Sequence, residues 1–142
     1  MSALRQEFRL EVSCDLGDLA RATESLDSFW LNHDLDEDVQ ADLNIAIEEI
    51  VSNVIRHGEA GDQPIVLIIA VDPGEVHVEV RDAGQPFNPL AHAMPDPGAP
   101  LAERRGGGLG IFMVTQMMDH ISYEREGQRN CFRMTRSRTR KS

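Results

Sequence analysis

The sequence predicts an α+β fold with two layers, a mostly antiparallel β-sheet that carries helices on one face. One strand pattern near the N-terminus is followed by two helical patterns, and two adjacent strand patterns occupy the middle of the chain. A third helical pattern then precedes two more strand patterns. Strands that are joined by short turns pair antiparallel, so the predicted order is β-α-α-β-β-loop-α-β-β.

The first strand and helix are predicted from hydrophobic periodicity. Phe8, Leu10 and Val12 alternate with polar residues, which is typical of a half-buried strand. Asp15 or Asp18 can cap the helix that follows and ends near Asn32. Apolar residues recur along it at helical intervals: Leu19, Ala22, Leu26, Phe29 and Trp30.

A second helix is predicted from about Asp36 to a stop at Gly58. One face of it is apolar: Leu43, Ile47, Ile50, Val51 and Val54. The aliphatic run from Ile65 to Val71 then predicts a central strand that is covered on both sides. A turn at 72–75 leads into a strand that alternates at Val76, Val78 and Val80 and ends at Asp82.

Residues 84–107 lack periodicity and contain five prolines, which is typical of a lid or a disordered loop. The third helix follows, with a predicted helical period of Leu109, Phe112, Met113, Gln116 and Met117. Ile121 and Tyr123 indicate one terminal strand, and Cys131 to Thr135 the other, with a turn at 127–130. The basic end, 137–142, is predicted to be a disordered tail.

Composition predicts one domain over residues 1–142, with its core at about 5–136. Cys14 and Cys131 show no metal-binding spacing, so both are expected to be reduced and buried. No signal peptide or bilayer-length apolar run is visible, and we expect a soluble, cytoplasmic protein without a membrane partner.

The net charge of −10 is unevenly distributed. Residues 11–50 hold twelve acidic side chains against one basic, whereas residues 101–142 hold nine basic against four acidic. Partner docking and ordinary solvation explain such polarity equally well. Nucleic acid is not an expected partner for a chain with a pI of about 4.8.

Glu49 and Asn53 are the first candidate site residues. With Glu49 at zero on a helical wheel, Asn53 lies at about 40° and the apolar arc spans about 100 to 200°. Glu48 lies at about −100°, away from that arc, so Glu49 is preferred as a functional carboxylate. A solvated helix face is the alternative interpretation of this spacing.

Two segments with glycine supply further candidates. Asp82 and Gly84 follow a strand, where a carboxylate can accept a hydrogen bond from a purine amino group or simply form a turn. Gly106, Gly107, Gly108 and Gly110 open a helix, beside Arg104 and Arg105. Their backbone amides can hold phosphate oxygens, and a flexible hinge is the alternative.

Taken in order, Glu49-x-x-x-Asn53, Asp82-x-Gly84 and Gly106-x-Gly108-Leu109-Gly110 resemble the N, G1 and G2 boxes of the GHKL ATPases. The segments 42–58, 81–89 and 108–119 are similar in particular to the anti-sigma-factor serine kinases of the RsbW type. The resemblance covers residues 5–136 and implies the Bergerat α/β sandwich, with residues 84–107 as a lid over ATP.

The resemblance also implies roles for the site residues. Glu49 would be the general base toward a serine hydroxyl, and Asn53 would bind a Mg²⁺ that bridges the ATP phosphates. Asp82, with Gly84, would read adenine. His57 would either line the site or pack beside it. The phosphates would be held by Arg105 and by the backbone of Gly106, Gly107, Gly108, Leu109 and Gly110.

The implied partners are a STAS-domain anti-anti-sigma protein as the phosphorylation substrate, a sigma factor, and a second copy of the chain. The family's Gly-Gly-Thr in the last hairpin is replaced by Gly127-Gln-Arg-Asn130. An ATP-binding module without kinase activity is therefore the alternative. A histidine-kinase catalytic domain shares the boxes but is expected to bring a dimerisation helix pair with an acceptor histidine, which these 142 residues lack.

Overall fold

The computed structural model describes residues 6–57, 61–92 and 108–138, in the predicted order of elements. A short 3₁₀ turn, Pro89–His92, lies in the first part of the predicted lid. The helices are α1 (Leu16–Asn32), α2 (Glu37–His57) and α3 (Gly108–Met117). The strands are β1 (Gln6–Val12), β2 (Ile65–Val71), β3 (Glu75–Asp82), β4 (His120–Glu126) and β5 (Arg129–Ser137).

The five strands form one antiparallel sheet in the order β1-β2-β3-β5-β4. A row of paired residues crosses it: Leu10, Leu67, Val80, Phe132 and Tyr123. Paired residues point to the same face, and this face packs with the helices in one hydrophobic core. The predicted two-layer α+β fold is confirmed. β2 is an internal strand, although β3 occupies the centre of the sheet.

Asp15 caps the N-terminus of helix α1, and its Oδ1 accepts a hydrogen bond from the amide of Gly17 at 3.0 Å. Asp18, the other candidate cap, accepts from the amide of Ser13 and pairs with Arg21. These two hydrogen-bonding partners hold the pKa of Asp18 below its ordinary value. The helix therefore has a second acidic anchor to the end of β1.

Helices α1 and α2 bury the predicted apolar faces, apart from the partly buried Phe29. A polar bridge joins the two helices: Trp30 Nε1 donates to Asn44 Oδ1 at 2.9 Å, and Asn44 Nδ2 donates to Asp27 at 2.8 Å. Trp30 is fully buried, so this bridge satisfies a polar group inside the helical layer.

The residues whose helical period predicted α3 are not the ones that α3 buries. Ile111 and Val114 enter the core, whereas Met113 is 46% exposed and Gln116 is also exposed. The helix is apolar around most of its circumference, so periodicity alone could not choose between two faces. Contact with α2 fixes the phase, because Gly110 faces that helix.

The predicted end of the chain also needs correction. The last turn contains only Gly127 and Gln128, since β5 begins at Arg129 and includes Asn130. Ser137 belongs to β5, and Arg138 donates to the carbonyl oxygens of Asp72 and His33, so neither is part of a disordered tail. Residues 139–142 lie outside the described part.

Both cysteines are free, but only Cys131 is buried as predicted. Cys14 follows the end of β1 and is partly exposed, with its Sγ donating to the carbonyl of Gln63 at 3.4 Å. None of the described helices has the length and apolar character that crossing a bilayer requires.

Candidate functional site

Glu49 and Asn53 lie one turn apart on α2, and their side chains are in contact. Asn53 Nδ2 donates to Glu49 Oε2 at 2.8 Å and to the Glu49 carbonyl oxygen at 2.7 Å. Asn53 is only 5% exposed and Glu49 is half-buried, whereas Glu48 is exposed. The helical phase that distinguished Glu49 from Glu48 is confirmed.

Gly110 lies directly against the carboxylate of Glu49. A Cβ built on Gly110 would stand 2.3 Å from the carboxyl carbon and about as close to both carboxyl oxygens. No other residue type fits there without displacing Glu49. The first turn of α3 therefore packs onto the carboxylate, and this contact brings together the candidate residues of α2 and those of α3.

The amide oxygen of Asn53 suits a hard cation. Both donated hydrogen bonds leave from Nδ2, and Oδ1 accepts none from the described residues. Among the described residues, every buried side-chain oxygen has a hydrogen-bond partner. Because Oδ1 of Asn53 has none, it is accessible to solvent and open to a ligand. Carboxamide oxygens are ligands that Mg²⁺ accepts in proteins, so this residue fits the implied metal.

A separate group of possible metal ligands lies at the turn between β2 and β3. Among the described residues, this group consists of Asp72, Glu75 and His77. Each offers one possible ligand atom, and the three atoms lie within 4.8 Å of one another. Asp72 already accepts the amides of Gly74 and Glu75 and contacts His77 Nε2 at 3.0 Å. This turn is at the opposite end of β3 from Asp82 and is not part of the site around Asn53.

Asp82 ends β3 and is 3% exposed. Its Oδ1 accepts the amide of Gly84 at 2.9 Å, which makes it a turn-forming aspartate. The same oxygen accepts Asn130 Nδ2 at 3.0 Å. In the described residues Oδ2 accepts nothing, so it is the oxygen that can meet a ligand.

Asn130 is the residue of this site that sequence reasoning missed. It pairs with Asp82 across β3 and β5 and is 3% exposed. Its side chain also contacts Tyr123, Arg125, and the segment at 85–87. The sequence marked Asn130 as unusual, but its predicted place in a turn hid its contact with Asp82.

His57 links the end of α2 to the loop after β3. Its ring packs against Phe87 with centroids 5.4 Å apart, and its carbonyl oxygen accepts Gln85 Nε2 at 3.3 Å. Because the backbone of Gln85 and of Phe87 also hydrogen-bonds Asn130, a continuous set of contacts joins α2 to Asp82. A packing histidine, one of the two predicted roles, describes this arrangement.

The phosphate-binding candidates are only partly described. Gly108, Leu109 and Gly110 form the first turn of α3. Arg105, Gly106 and Gly107 lie outside the described residues, as does the part of the predicted lid at 93–107.

Cys14 lies near the Asp82 end of the sheet. Burial first, and then the negative charge of Asp82, raise the pKa of the Cys14 thiol above its ordinary value. A thiol with a raised pKa stays protonated at neutral pH and is a poor nucleophile. Cys14 is therefore not a candidate for covalent chemistry.

Comparison with known families matches residues 12–136 to the histidine kinase-like ATPase domain. Curated relatives include the anti-sigma F factors of Geobacillus stearothermophilus and of Geobacillus kaustophilus. Each is 26% identical over 125 residues, which cover 87% of this chain and 86% of the relative.

Among solved structures, the RsbU and RsbW domains of a Mycobacterium tuberculosis protein resemble this fold with a TM-score of 0.69. The match has 19% identity and covers 94% of this chain. This chain corresponds to 33% of the length of that one, and the likeness shows the fold alone.

Proposed function

This chain belongs to the histidine kinase-like ATPase domain family, and from that premise we propose that it is an ATP-dependent serine/threonine protein kinase and an anti-sigma-type regulator. Membership of an ATPase family implies ATP binding. The observation that supports the finer proposal is the contact among Glu49, Asn53 and Gly110, because it places a carboxylate beside the start of α3.

In this proposal the nucleotide lies along the contacts from Asp82 to Gly110. Asp82 Oδ2 accepts the hydrogen bond of the adenine amino group. The amides at the start of α3, with Arg105 and the Gly106–Gly110 backbone, hold the phosphates, because a helix N-terminus attracts anions. The lid at 84–107 excludes water from them.

Asn53 Oδ1 would hold Mg²⁺ beside the phosphates. When bound, the ion neutralises negative charge on the phosphate oxygens. The chain's own contribution is the position of the amide. Its Nδ2 is fixed by two hydrogen bonds to Glu49, so its oxygen is presented on the other side.

Glu49 acts as the general base. The serine oxygen of the substrate forms a bond to the γ-phosphorus, the bond from that phosphorus to the β,γ-bridging oxygen breaks, and ADP leaves. The hydroxyl proton passes to Glu49. Asn53 occupies Oε2, so Oε1 is the oxygen that takes this proton.

We propose a STAS-domain protein as the bearer of that serine, a sigma factor as the second partner, and a homodimer as the assembly. The sigma factor is supported by the names of the Geobacillus relatives, which are anti-sigma F factors at 26% sequence identity, and the STAS protein and the homodimer follow from the resemblance to the RsbW-type kinases. The acidic side chains of residues 11–50 offer a docking place for a basic partner, and solvation of the surface explains them equally well.

A nucleotide-binding regulator without kinase activity is the second candidate. The observation that favours it is the last hairpin, where Gly127-Gln-Arg-Asn130 stands in place of the family's Gly-Gly-Thr. This candidate predicts ATP binding without phosphate transfer. Turnover on any protein serine excludes it.

Two measurements test the proposal. Calorimetry with ATP should show tighter binding with Mg²⁺ than without it, and Asn53→Ala should abolish this difference because the metal loses its oxygen ligand. Equal affinities of the wild type with and without Mg²⁺ would count against Asn53 as a ligand. Incubation with ATP and a purified STAS protein should yield phosphoserine, and its absence leaves the second candidate.

A further inference from the structure

Asn130 and Asp82 are buried side by side although they are 48 positions apart in the chain. We propose that Asn130 is a specificity-determining residue, which makes the site prefer a base with an amino group over one with a carbonyl group. The inference rests on the proposed ATP site and assigns its base preference to a residue outside the three motifs.

The orientation of the Asn130 amide is set by three donors. Its Oδ1 accepts the Phe87 amide at 3.3 Å, Arg125 Nη1 at 3.2 Å, and the Tyr123 hydroxyl. A guanidinium has no acceptor, so the end of the amide that faces Arg125 must be the oxygen. The NH₂ end therefore points toward Asp82.

That NH₂ group fixes how Asp82 meets a ligand. It donates to Oδ1, which also accepts the amide of Gly84. Two donors on one oxygen hold the plane of the carboxylate and leave Oδ2 as a bare acceptor. An amino group on the base donates a hydrogen bond to Oδ2, whereas a carbonyl oxygen at the same position repels it. A buried acceptor that is left without a donor discriminates strongly between two such bases.

The same amide supports the start of the loop over the site. Asn130 Nδ2 also donates to the Gln85 carbonyl at 2.8 Å, and Arg125 Nη1 donates to the Gly84 carbonyl at 2.8 Å. The backbone at 84–87 is thus held by the residues that orient Asp82. Loss of the amide should affect both base preference and the position of this backbone.

The test compares ATP with inosine triphosphate, which has a carbonyl group where ATP has the amino group and carries a hydrogen on the neighbouring ring nitrogen. Calorimetric dissociation constants for both nucleotides give a preference ratio. Asn130→Asp keeps the shape of the side chain but replaces its NH₂ donor by an acceptor, so Oδ1 of Asp82 loses one of its two donors and the carboxylate is no longer held in one plane. The preference for ATP should fall by about tenfold or more, the effect of one misplaced hydrogen bond.

Asn130→Leu should also reduce the preference, because Oδ1 of Asp82 loses one donor. Asn130→Thr supplies a hydroxyl donor and should recover part of the preference for ATP. The matched control is Asn44→Leu, which removes the buried amide between Trp30 and Asp27. That variant should lower thermal stability and leave the ratio unchanged.

A ratio equal to the wild type in a folded Asn130→Asp or Asn130→Leu protein would overturn the inference while the ATP site stands. A wild type that binds neither nucleotide would overturn the ATP site and the inference together. A purely structural role for Asn130 would change both affinities in parallel.

Discussion

The carboxylate of Glu49 occupies the space that any side chain on Gly110 would need. Asn53 donates a 2.8 Å hydrogen bond to the same carboxylate. A general base must stay within hydrogen-bond reach of the proton that it takes, so its position matters as much as its identity. Gly110 and Asn53 together define that position.

Gly110→Ala should therefore impair phosphate transfer. The new methyl group would meet the carboxyl carbon of Glu49 at 2.3 Å and push it aside. A displacement of about 1 Å at a reacting group can cost about 100-fold in rate. The measurement is the rate of phosphate transfer at saturating ATP, with thermal melting to show that the variant folds.

Gly17→Ala is the matched control, since Gly17 also lies in the first turn of a helix. A methyl group at this position would have Asp15 Oδ1 as its nearest neighbour, at 3.5 Å, which is an ordinary contact. We expect wild-type transfer and a gain in stability of about 1 kcal/mol. Equal rates for Gly110→Ala and Gly17→Ala would show that Gly110 does not position Glu49.

The sequence predicted that Glu49, and not Glu48, lies at the site, because a helix has a fixed period and adjacent side chains point in different directions. It did not predict the role of Asn130. Which residues face each other across β3 and β5 depends on strand register, and the assumed four-residue turn obscured that register.

Among the elements, α2 was the easiest to predict, because its buried positions follow a helical period and most of its exposed positions are polar. The position of helix α3 in the chain was predicted, but the face that it buries was not. The helix is apolar around most of its circumference, so contact with α2 decides that Ile111 and Val114 are buried.

The β2–β3 hairpin predicts an acid-dependent stability. Burial alone would raise the pKa of Asp72, but hydrogen bonds from the Glu75 amide, His77 and the Gly74 amide outweigh it and hold the pKa below 3.8. A carboxyl whose pKa is lowered by folding stabilises the folded state when the pH is above its pKa in the unfolded chain. That contribution is lost as the pH falls through the folded value.

Asp72→Asn should therefore flatten the dependence of the free energy of unfolding on pH below about 5. Asparagine retains an acceptor oxygen for the turn, so the hairpin should still form. Urea unfolding of both proteins between about pH 6 and 3 measures the difference and cancels contributions that they share. Parallel curves for the wild type and the variant would contradict the role of Asp72.

Across the whole molecule, antiparallel pairing assembles the site from distant parts of the chain. Asp82 and Asn130 meet through β3 and β5, while an ion pair of Arg136 with Asp42 ties the end of β5 to α2 at 3.0 Å. This ion pair adds to the β3–β5 pairing in holding the end of the chain near Arg136. A sequence pattern cannot show it, because the two residues are 94 positions apart.

The order of elements, by contrast, follows from local periodicity and turn residues, and it is confirmed throughout the described residues. Membership of the histidine kinase-like ATPase family agrees with it. What the sequence predicted less well depends on contacts between elements: the phase of α3, the register of β5 and the surroundings of Asp82.

In the proposed reaction Glu49 takes the proton from a serine that ATP phosphorylates. The most direct measurement is single-turnover transfer of the γ-phosphate to a STAS protein, by wild type, Glu49→Gln and the neighbouring control Glu48→Gln, with ATP affinity measured in parallel. Glutamine can still accept the hydrogen bond of Asn53, so ATP affinity should be unchanged. Glu49→Gln should transfer phosphate about 100-fold more slowly or worse, and Glu48→Gln at the wild-type rate. Equal transfer rates for Glu49→Gln and the wild type would contradict the claim.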